Sequence, residues 1–236
     1  MKKPSSSSGS ASTLSHIEAR SAIPRAGRGW HSTPLAIAPH RGKGSATVDP
    51  IRELTDIARI KGGLAECPRD LSLFVFGIHA GLRGSDLLAL RWTDMLDEGG
   101  RVLDRISVRE SKTGNMRHIA LHSKVKVVLE SWLRNSMADA GEKFSLNSFI
   151  WPGKSGRQLT IQRLHQLVNY WCATIGLRGN FGTHTLRKTY GYHLRRLGYD
   201  IEILMKVFGH SSASITLRYI GVEQEEIDEA NLRLIL

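Results

Sequence analysis

The chain has 236 residues, with 33 Lys or Arg against 22 Asp or Glu, so its formal net charge is +11. This excess favours a polyanionic partner, with nucleic acid first and an anionic membrane surface second. The two cysteines, Cys67 and Cys172, have no CxxC spacing, which argues against a zinc module or a disulfide framework and fits a reducing compartment. No apolar run in the sequence reaches the ~18 residues that a membrane span requires.

The start of the chain differs in composition from the rest. Ser, Gly and Pro make up 19 of residues 1–49, and seven Lys or Arg stand against two acids, a net charge of +5. Such a segment cannot bury enough apolar surface to offset its ordering entropy, so we expect a disordered basic tail over residues 1–48. One globular domain should then occupy residues 49–236. The tail's composition fits a flexible DNA-tracking segment, an organelle transit peptide or a start codon assigned too far upstream.

The globular part begins with two predicted helices. Asp49 is the predicted N-cap of the first, which a Gly-Gly pair ends at residues 62–63. Pro68 opens the second, which is apolar on nearly all sides and ends at Gly81. The second helix should therefore lie in the core.

A glycine-flanked arginine follows the second helix. Ser85 is the predicted N-cap of the next short apolar helix, so Arg83 lies in the turn beside the core. A positive charge there is costly unless it is paired or faces a functional cleft. Arg83 is thus either tied to Asp86 or part of a site.

Two alternating runs, residues 105–109 and 116–121, predict a β-hairpin with Lys112 near its tip. An earlier short strand that ends at Asp97 would make the sheet three-stranded. Taken alone, Lys112 is most simply a solvated loop lysine.

The chemistry concentrates in residues 182–221. His184 and Arg187 are three residues apart, so they share one face of a helix. His210 is expected on the turn after a further helix, and Tyr219 follows nine residues later at the far end of a short helix. The stretch therefore combines two bases, a cation and a phenol.

These residue types suggest phosphodiester chemistry without a metal. A guanidinium group can donate two parallel hydrogen bonds to the non-bridging oxygens of a phosphate. A phenol has a pKa of about 10, so it is a poor nucleophile until a base or a cationic site activates it. The alternative is a basic helix pair whose histidines only fill the surface or the core.

The sequence resembles the tyrosine recombinase (phage integrase) family from about residue 50 to its end. Six residues match that family's active site in order and in helix or hairpin context: Arg83, Lys112, His184, Arg187, His210 and Tyr219. Asp86 is a supporting residue, where the family more often has Glu. The resemblance implies the family's catalytic-domain fold, mainly α-helical with a small antiparallel β-hairpin or three-stranded sheet.

One departure from the family concerns its N-terminal helical domain, which clamps the far side of the DNA. The basic tail is too short and too polar to build that domain. The layout resembles the short members of the family, such as the invertases that flip fimbrial promoters. It also fits a truncated remnant.

The resemblance implies a site-specific recombinase of a mobile genetic element that integrates, excises or inverts DNA without a cofactor or a metal. Tyr219 would attack the scissile phosphate and form a 3′-phosphotyrosyl link, while the two arginines hold the non-bridging oxygens and His210 adds a hydrogen bond. His184 would assist proton transfer at the nucleophile, and Lys112 would protonate the departing 5′ oxygen.

The implied partners are double-stranded DNA and a homotetramer on paired DNA sites, with room for an accessory directionality protein and no membrane. The implied location is the cytoplasm, as a bacterial or phage-encoded protein at the nucleoid. Two alternatives stay open. One is strand cleavage and religation like that of a type IB topoisomerase, and the other is a catalytically weak or truncated DNA-binding regulator.

Overall fold

The computed structural model describes residues 47–221, 228 and 231–234, so nearly all of the expected tail, residues 1–48, lies outside the described residues. The described part is mostly helical, as expected, with one β-hairpin. Its elements in chain order are α1 (Leu54–Gly63), α2 (Pro68–Ala80), α3 (Gly84–Ala89), β1 (Arg105–Arg109), β2 (Met116–Ala120), α4 (Ser123–Ala140), α5 (Ile161–Thr174), α6 (Thr185–Arg196), α7 (Ile201–Phe208) and α8 (Ala213–Ile220). None of the described helices is long and apolar enough to span a membrane.

The β-hairpin is confirmed, but the third strand is not. Within the described residues β1 and β2 form a two-stranded antiparallel sheet. Leu96 meets Val102 only as an isolated bridge. The reason is that this segment closes on itself, since the Asp97 amide donates to the Arg101 carbonyl oxygen at 2.9 Å.

The predicted ends of α2 are confirmed. α2 begins at Pro68 and ends at Gly81, whose φ of 57° is left-handed. A Cβ at Gly81 would lie 2.3 Å from the Tyr190 ring, so both the backbone conformation and the packing require glycine. Ser212 caps α8 by accepting from the Ile215 amide at 3.3 Å.

Two predicted caps are wrong because tertiary contacts use those residues differently. α1 begins at Leu54, and Asp49 instead exchanges two hydrogen bonds with Asn180: its amide donates to the Asn180 carbonyl at 2.6 Å, and its carboxylate accepts from the Asn180 amide at 2.8 Å. α3 begins one residue before Ser85, with Arg83 at the N-cap position and no capping side chain.

The buried apolar side chains form two clusters. The main core runs from Ile51 to Leu186 and includes three nearly inaccessible tryptophans, Trp92, Trp151 and Trp171. The C-terminal cluster consists of buried Leu204, Phe208 and Ile220, with partly buried residues of α6, α7 and α8 against them, including Tyr190 and Tyr219. Gly191 of α6 permits this packing, because a Cβ there would lie 2.5 Å from Phe208 and 2.7 Å from Ile220.

Candidate active site

Two of the predicted site residues, Arg83 and Arg187, converge on a single carbonyl oxygen. The Phe208 carbonyl accepts from Arg187 Nη2 at 3.1 Å and from Arg83 Nη2 at 3.4 Å. Arg187 Nη1 also donates to the Gly81 carbonyl at 2.6 Å. Phe208 ends α7 and Gly81 follows α2, so the negative ends of two helices stabilise these cations. Burial lowers the pKa of Arg187 to about 10, which leaves it charged at neutral pH.

A buried glutamate that the sequence reasoning missed pairs with both arginines. Glu110 Oε2 lies 2.7 Å from Arg83 Nη1, and Glu110 Oε1 lies 3.8 Å from Arg187 Nη1. Arg83 is therefore paired with Glu110, and the Asp86 carboxylate accepts instead from the Ser111 amide at 3.0 Å and hydroxyl at 2.6 Å. Burial alone would raise the pKa of Glu110, but hydrogen bonds and the nearby arginine charges outweigh it and lower that pKa.

The candidate nucleophile and a candidate base are in hydrogen-bond contact. Tyr219 lies near the end of α8, and its hydroxyl oxygen is 3.1 Å from Nδ1 of His184, which precedes α6. Burial raises the pKa of Tyr219, with the charge of Arg187 opposing it. Burial and then the charge of Arg187 lower the pKa of His184. At neutral pH a phenol therefore faces a neutral imidazole, and that ring accepts the phenolic hydrogen when its own proton is on Nε2.

His210 stands on the turn after α7, where the left-handed Gly209 ends the helix. Its ring packs at 5.2 Å from the Tyr219 ring and 5.5 Å from the Phe208 ring, centre to centre. Its Nδ1 is 3.1 Å from the Thr216 hydroxyl. Burial, followed by the charges of the two arginines, lowers the pKa of His210.

Lys112 stands apart from the other five residues. It is exposed in the turn between β1 and β2. Its charge is one of the smaller causes that lower the pKa of His184, after burial and Arg187. The Lys112 side chain therefore lies within electrostatic reach of His184.

Sequence reasoning missed two further cations. Arg117 donates to the carbonyls of Ala80 at 2.6 Å and Gly81 at 2.9 Å, so it binds the same helix end as Arg187. Lys188 is 4% exposed, and its Nζ lies 5.2 Å from the centre of the Tyr219 ring. Neither residue has a local signal, because each owes its role to a partner distant in the sequence.

Glu110 did carry a signal that strand periodicity could have revealed. Ile106 and Val108 are the inward-facing residues of β1, and position 110 continues that alternation. An acidic residue at an inward position requires a buried partner, since an unpaired buried charge is costly. Among the described residues, no group of three or more His, Cys, Asp or Glu side chains is placed to hold a metal ion.

Comparison with known proteins identifies the family. The phage integrase family model matches residues 47–226. The chain belongs to the phage integrase family. One relative of this recombinase is the probable integrase/recombinase YoeC of Bacillus subtilis, 34% identical over 180 residues that cover 75% of this chain and 92% of YoeC.

A second relative of the recombinase is the tyrosine recombinase XerC of Thermodesulfovibrio yellowstonii. It is 27% identical over 164 residues, which cover 68% of this chain and 52% of XerC, so the chain spans about half the length of that relative. Family membership and these homologues identify the protein as a tyrosine-type site-specific recombinase, which confirms the predicted enzyme class.

Solved structures confirm the predicted fold of the recombinase. The XerA recombinase superimposes with a TM-score of 0.64 at 18% identity, covering 84% of this chain and 68% of XerA. XerH bound to its palindromic difH substrate superimposes with a TM-score of 0.62 at 20% identity, covering 80% of this chain and 53% of XerH. The Tn1549 transposon integrase in complex with a circular intermediate DNA superimposes with a TM-score of 0.55 at 18% identity, covering 80% of this chain and 67% of the integrase chain.

Proposed function

We propose that this recombinase cleaves and rejoins double-stranded DNA through a 3′-phosphotyrosyl intermediate on Tyr219. The observation that carries the proposal is the convergence at Tyr219. Its hydroxyl lies 3.1 Å from His184 Nδ1, and its ring packs 5.3 Å from that of Phe208, whose carbonyl holds both arginines. The proposed nucleophile and base are thus in contact, and the residue whose carbonyl holds both arginines packs against the Tyr219 ring.

The arginines would hold the two non-bridging oxygens of the scissile phosphate. Each guanidinium has five N–H donors. The contacts with Gly81, Phe208 and Glu110 use only some of them, so the remaining N–H groups can donate to the phosphate. Arg187 is 3% exposed, so its charge acts with little screening by water. Fixed cations of this kind stabilise the charge that develops on the phosphate in the transition state.

The protons and bonds balance within the site. The Tyr219 oxygen forms a bond to phosphorus, the bond from phosphorus to the 5′ oxygen breaks, and the phenolic proton passes to His184 Nδ1. Lys112 gives a proton to the departing 5′ oxygen, because an alkoxide is a poor leaving group. A 5′ hydroxyl of the partner strand then attacks the link, returning a proton to Lys112, and the phenolate regains its proton from His184. The covalent link conserves the bond energy, so no nucleotide cofactor is consumed.

Double-stranded DNA is the partner that fits the charge of the chain, which is +11 overall. The Tn1549 integrase, with the same fold, was solved with DNA, which supports this choice. The relatives named above come from bacteria, which supports action in the bacterial cytoplasm at the nucleoid. Integration, excision or inversion would then follow from the arrangement of the DNA sites and from an accessory directionality protein.

We also propose that the protein assembles as a homotetramer on paired sites through its C-terminal segment, residues 223–236. Leu232 and Leu234 are 84% and 65% exposed, and residues 223–229 include five acids. An open groove is lined by apolar side chains, among them Ile78, Met116 and Ile203, and carries the positive charge of Lys206. An acidic segment with an apolar end fits this groove on a second copy in both charge and polarity.

A nicked suicide duplex tests the proposed chemistry, because loss of a short 5′ fragment traps the covalent adduct. The regulator alternative predicts no adduct at all. The topoisomerase alternative predicts an adduct that religates only its own strand. The recombinase predicts an adduct that also joins a 5′ hydroxyl from a second duplex, which sequencing gels resolve.

A further inference from the structure

The loop that carries Lys112 is held on both sides by buried carboxylates. Ser111, before the lysine, donates to Asp86 through its amide and its hydroxyl. Thr113, after it, donates from its hydroxyl to Glu110 Oε2 at 2.9 Å. The lysine side chain is exposed, yet the backbone on each side of it is tied to the body of the domain.

Glu110 takes part in this clamp and in the arginine cluster with the same carboxylate. Oε2 contacts both the Thr113 hydroxyl and Arg83 Nη1, and Oε1 faces Arg187 at 3.8 Å. Arg83 keeps 18% of its side chain exposed and Glu110 keeps 6%, while the Arg83 Nη1 and Glu110 Oε1 atoms themselves are buried. Glu110 therefore offsets the arginine charges from a position more buried than that of Arg83.

We propose that Glu110 is a positioning residue that fixes the two phosphate-holding arginines and the Lys112 loop relative to each other. The proposal rests on the function proposed above, in which Arg83 and Arg187 hold the phosphate and Lys112 is the general acid. One carboxylate then sets the distance between the groups that hold the phosphate and the group that protonates the leaving oxygen.

The physical reason is the charge of the cluster. Arg83, Arg117 and Arg187 lie close enough for their charges to influence one another, and Glu110 is the carboxylate that offsets them. Without that carboxylate, the repulsion between buried guanidinium groups favours any rearrangement that separates them. A displacement of 1 Å at the reacting phosphate costs about 100-fold in rate.

The test compares cleavage of a normal suicide duplex with cleavage of one whose 5′-bridging oxygen is replaced by sulfur. A thiol has a pKa of about 8.5, so the thiolate leaves without a proton and no longer needs Lys112. Thr113→Val removes the hydroxyl by which the Lys112 loop donates to Glu110 and leaves in place the carboxylate that pairs with Arg83. We expect it to slow cleavage of the normal substrate by ~10-fold and to cleave the sulfur substrate at the wild-type rate.

Glu110→Gln removes the charge while keeping the shape of the side chain. We expect it to slow cleavage of the normal substrate by ~100-fold, with only part of this loss restored by sulfur, because the arginines are displaced as well. In the double variant, Thr113→Val should add less than its own full loss on the normal substrate, because both changes weaken the same hydrogen bond to residue 110. The matched control is Glu98→Gln at an exposed carboxylate, which should cleave both substrates at the wild-type rate.

The outcomes separate this proposal from the proposed function and from a purely structural role. Wild-type cleavage by Glu110→Gln would overturn the proposal, as would a Thr113→Val defect of equal size on both substrates. If circular dichroism shows that Glu110→Gln does not fold, the Thr113→Val variant decides the proposal by itself. The proposal then requires that Thr113→Val cleave the sulfur substrate at the wild-type rate. A wild-type protein that forms no adduct, or a Tyr219→Phe variant that forms one, would instead overturn the proposed function.

Discussion

The main core and the C-terminal cluster hold the two halves of the candidate active site in different ways. Arg83 and Arg187 are anchored by helix ends and by Glu110, beside a core that extends from α1 to α6. Tyr219 belongs to a cluster of three buried apolar residues, supplied by two helices of eight residues each. The cations are thus held by both regions, since Phe208 belongs to α7, whereas the nucleophile belongs to the smaller region alone.

This difference indicates which half of the site moves. Local opening requires less free energy where few apolar contacts hold a segment, and short helices have little stability of their own. α7 and α8 should therefore open more readily than α2 or α4. Tyr219 is therefore the more adjustable group, which suits its proposed role of bonding to DNA and later being released.

The largest expected effect is the loss of chemistry from Tyr219→Phe. Only the phenolic oxygen can form the link to phosphorus, so the covalent adduct should disappear on a suicide duplex. DNA affinity, measured by gel shift, should stay near the wild-type value because the arginines remain in place. Undiminished adduct in this variant would mean that another residue is the nucleophile.

The rigid half is tested by changing its arginines. Arg83→Ala and Arg187→Ala should each slow cleavage by ~100-fold or more, as the removal of one oxyanion donor does. Arg187→Lys should recover little, because an ammonium group cannot reproduce contacts with two separate carbonyl oxygens and a phosphate. Arg134→Lys, at an exposed position, is the control. A wild-type rate for Arg187→Lys would contradict the two-pronged contact.

A matched pair of leucines compares the two regions directly. Leu204 in the C-terminal cluster and Leu129 in the main core are both 0% exposed, and each change to Ala should cost about 2–5 kcal/mol. We expect Leu204→Ala to raise hydrogen exchange in α7 and α8 only and to reduce cleavage. Leu129→Ala should lower the melting temperature of the whole domain, while cleavage persists well below that temperature. Identical exchange patterns would mean that the two regions unfold as one.

The hydrogen bond between His184 and Tyr219 joins the two regions and should respond to pH. The pKa of His184 is lowered by burial and by Arg187, so the neutral ring persists into more acidic solution than a free histidine allows. Cleavage should hold at neutral pH and fall below a pH of about 6.5, as the ring gains a proton. His184→Gln keeps an acceptor that does not titrate. An unchanged acid limb in that variant would assign it to another group, such as His210.

The smallest expected effect on the isolated domain comes from truncation after Ala230. If the C-terminal segment docks on a second copy, the DNA-free monomer should melt at the wild-type temperature and bind single sites normally. Tetramers on a paired-site substrate, measured by native gel, should be lost. A clear fall in the melting temperature of the monomer would instead mean that the segment packs against its own domain.

Local patterns were sufficient to predict much of this recombinase. Glycine and proline mark the ends of α2, because helix ends depend on residues within one turn. Alternation over a few residues predicts the hairpin with Lys112 in its turn. The order of six chemically distinct residues identified the family, since each match has its own local context.

Only the tertiary structure decided which charges meet. Arg83 and Glu110 are 27 residues apart in the chain, yet they pair at 2.7 Å, while nearby Asp86 bonds to Ser111 instead. Asp49 binds Asn180 rather than capping α1, and Lys188 lies over the Tyr219 ring. Caps and periodicity are short-range, whereas a buried ion pair depends on how α3, the hairpin and α6 pack together, and no local pattern encodes that arrangement.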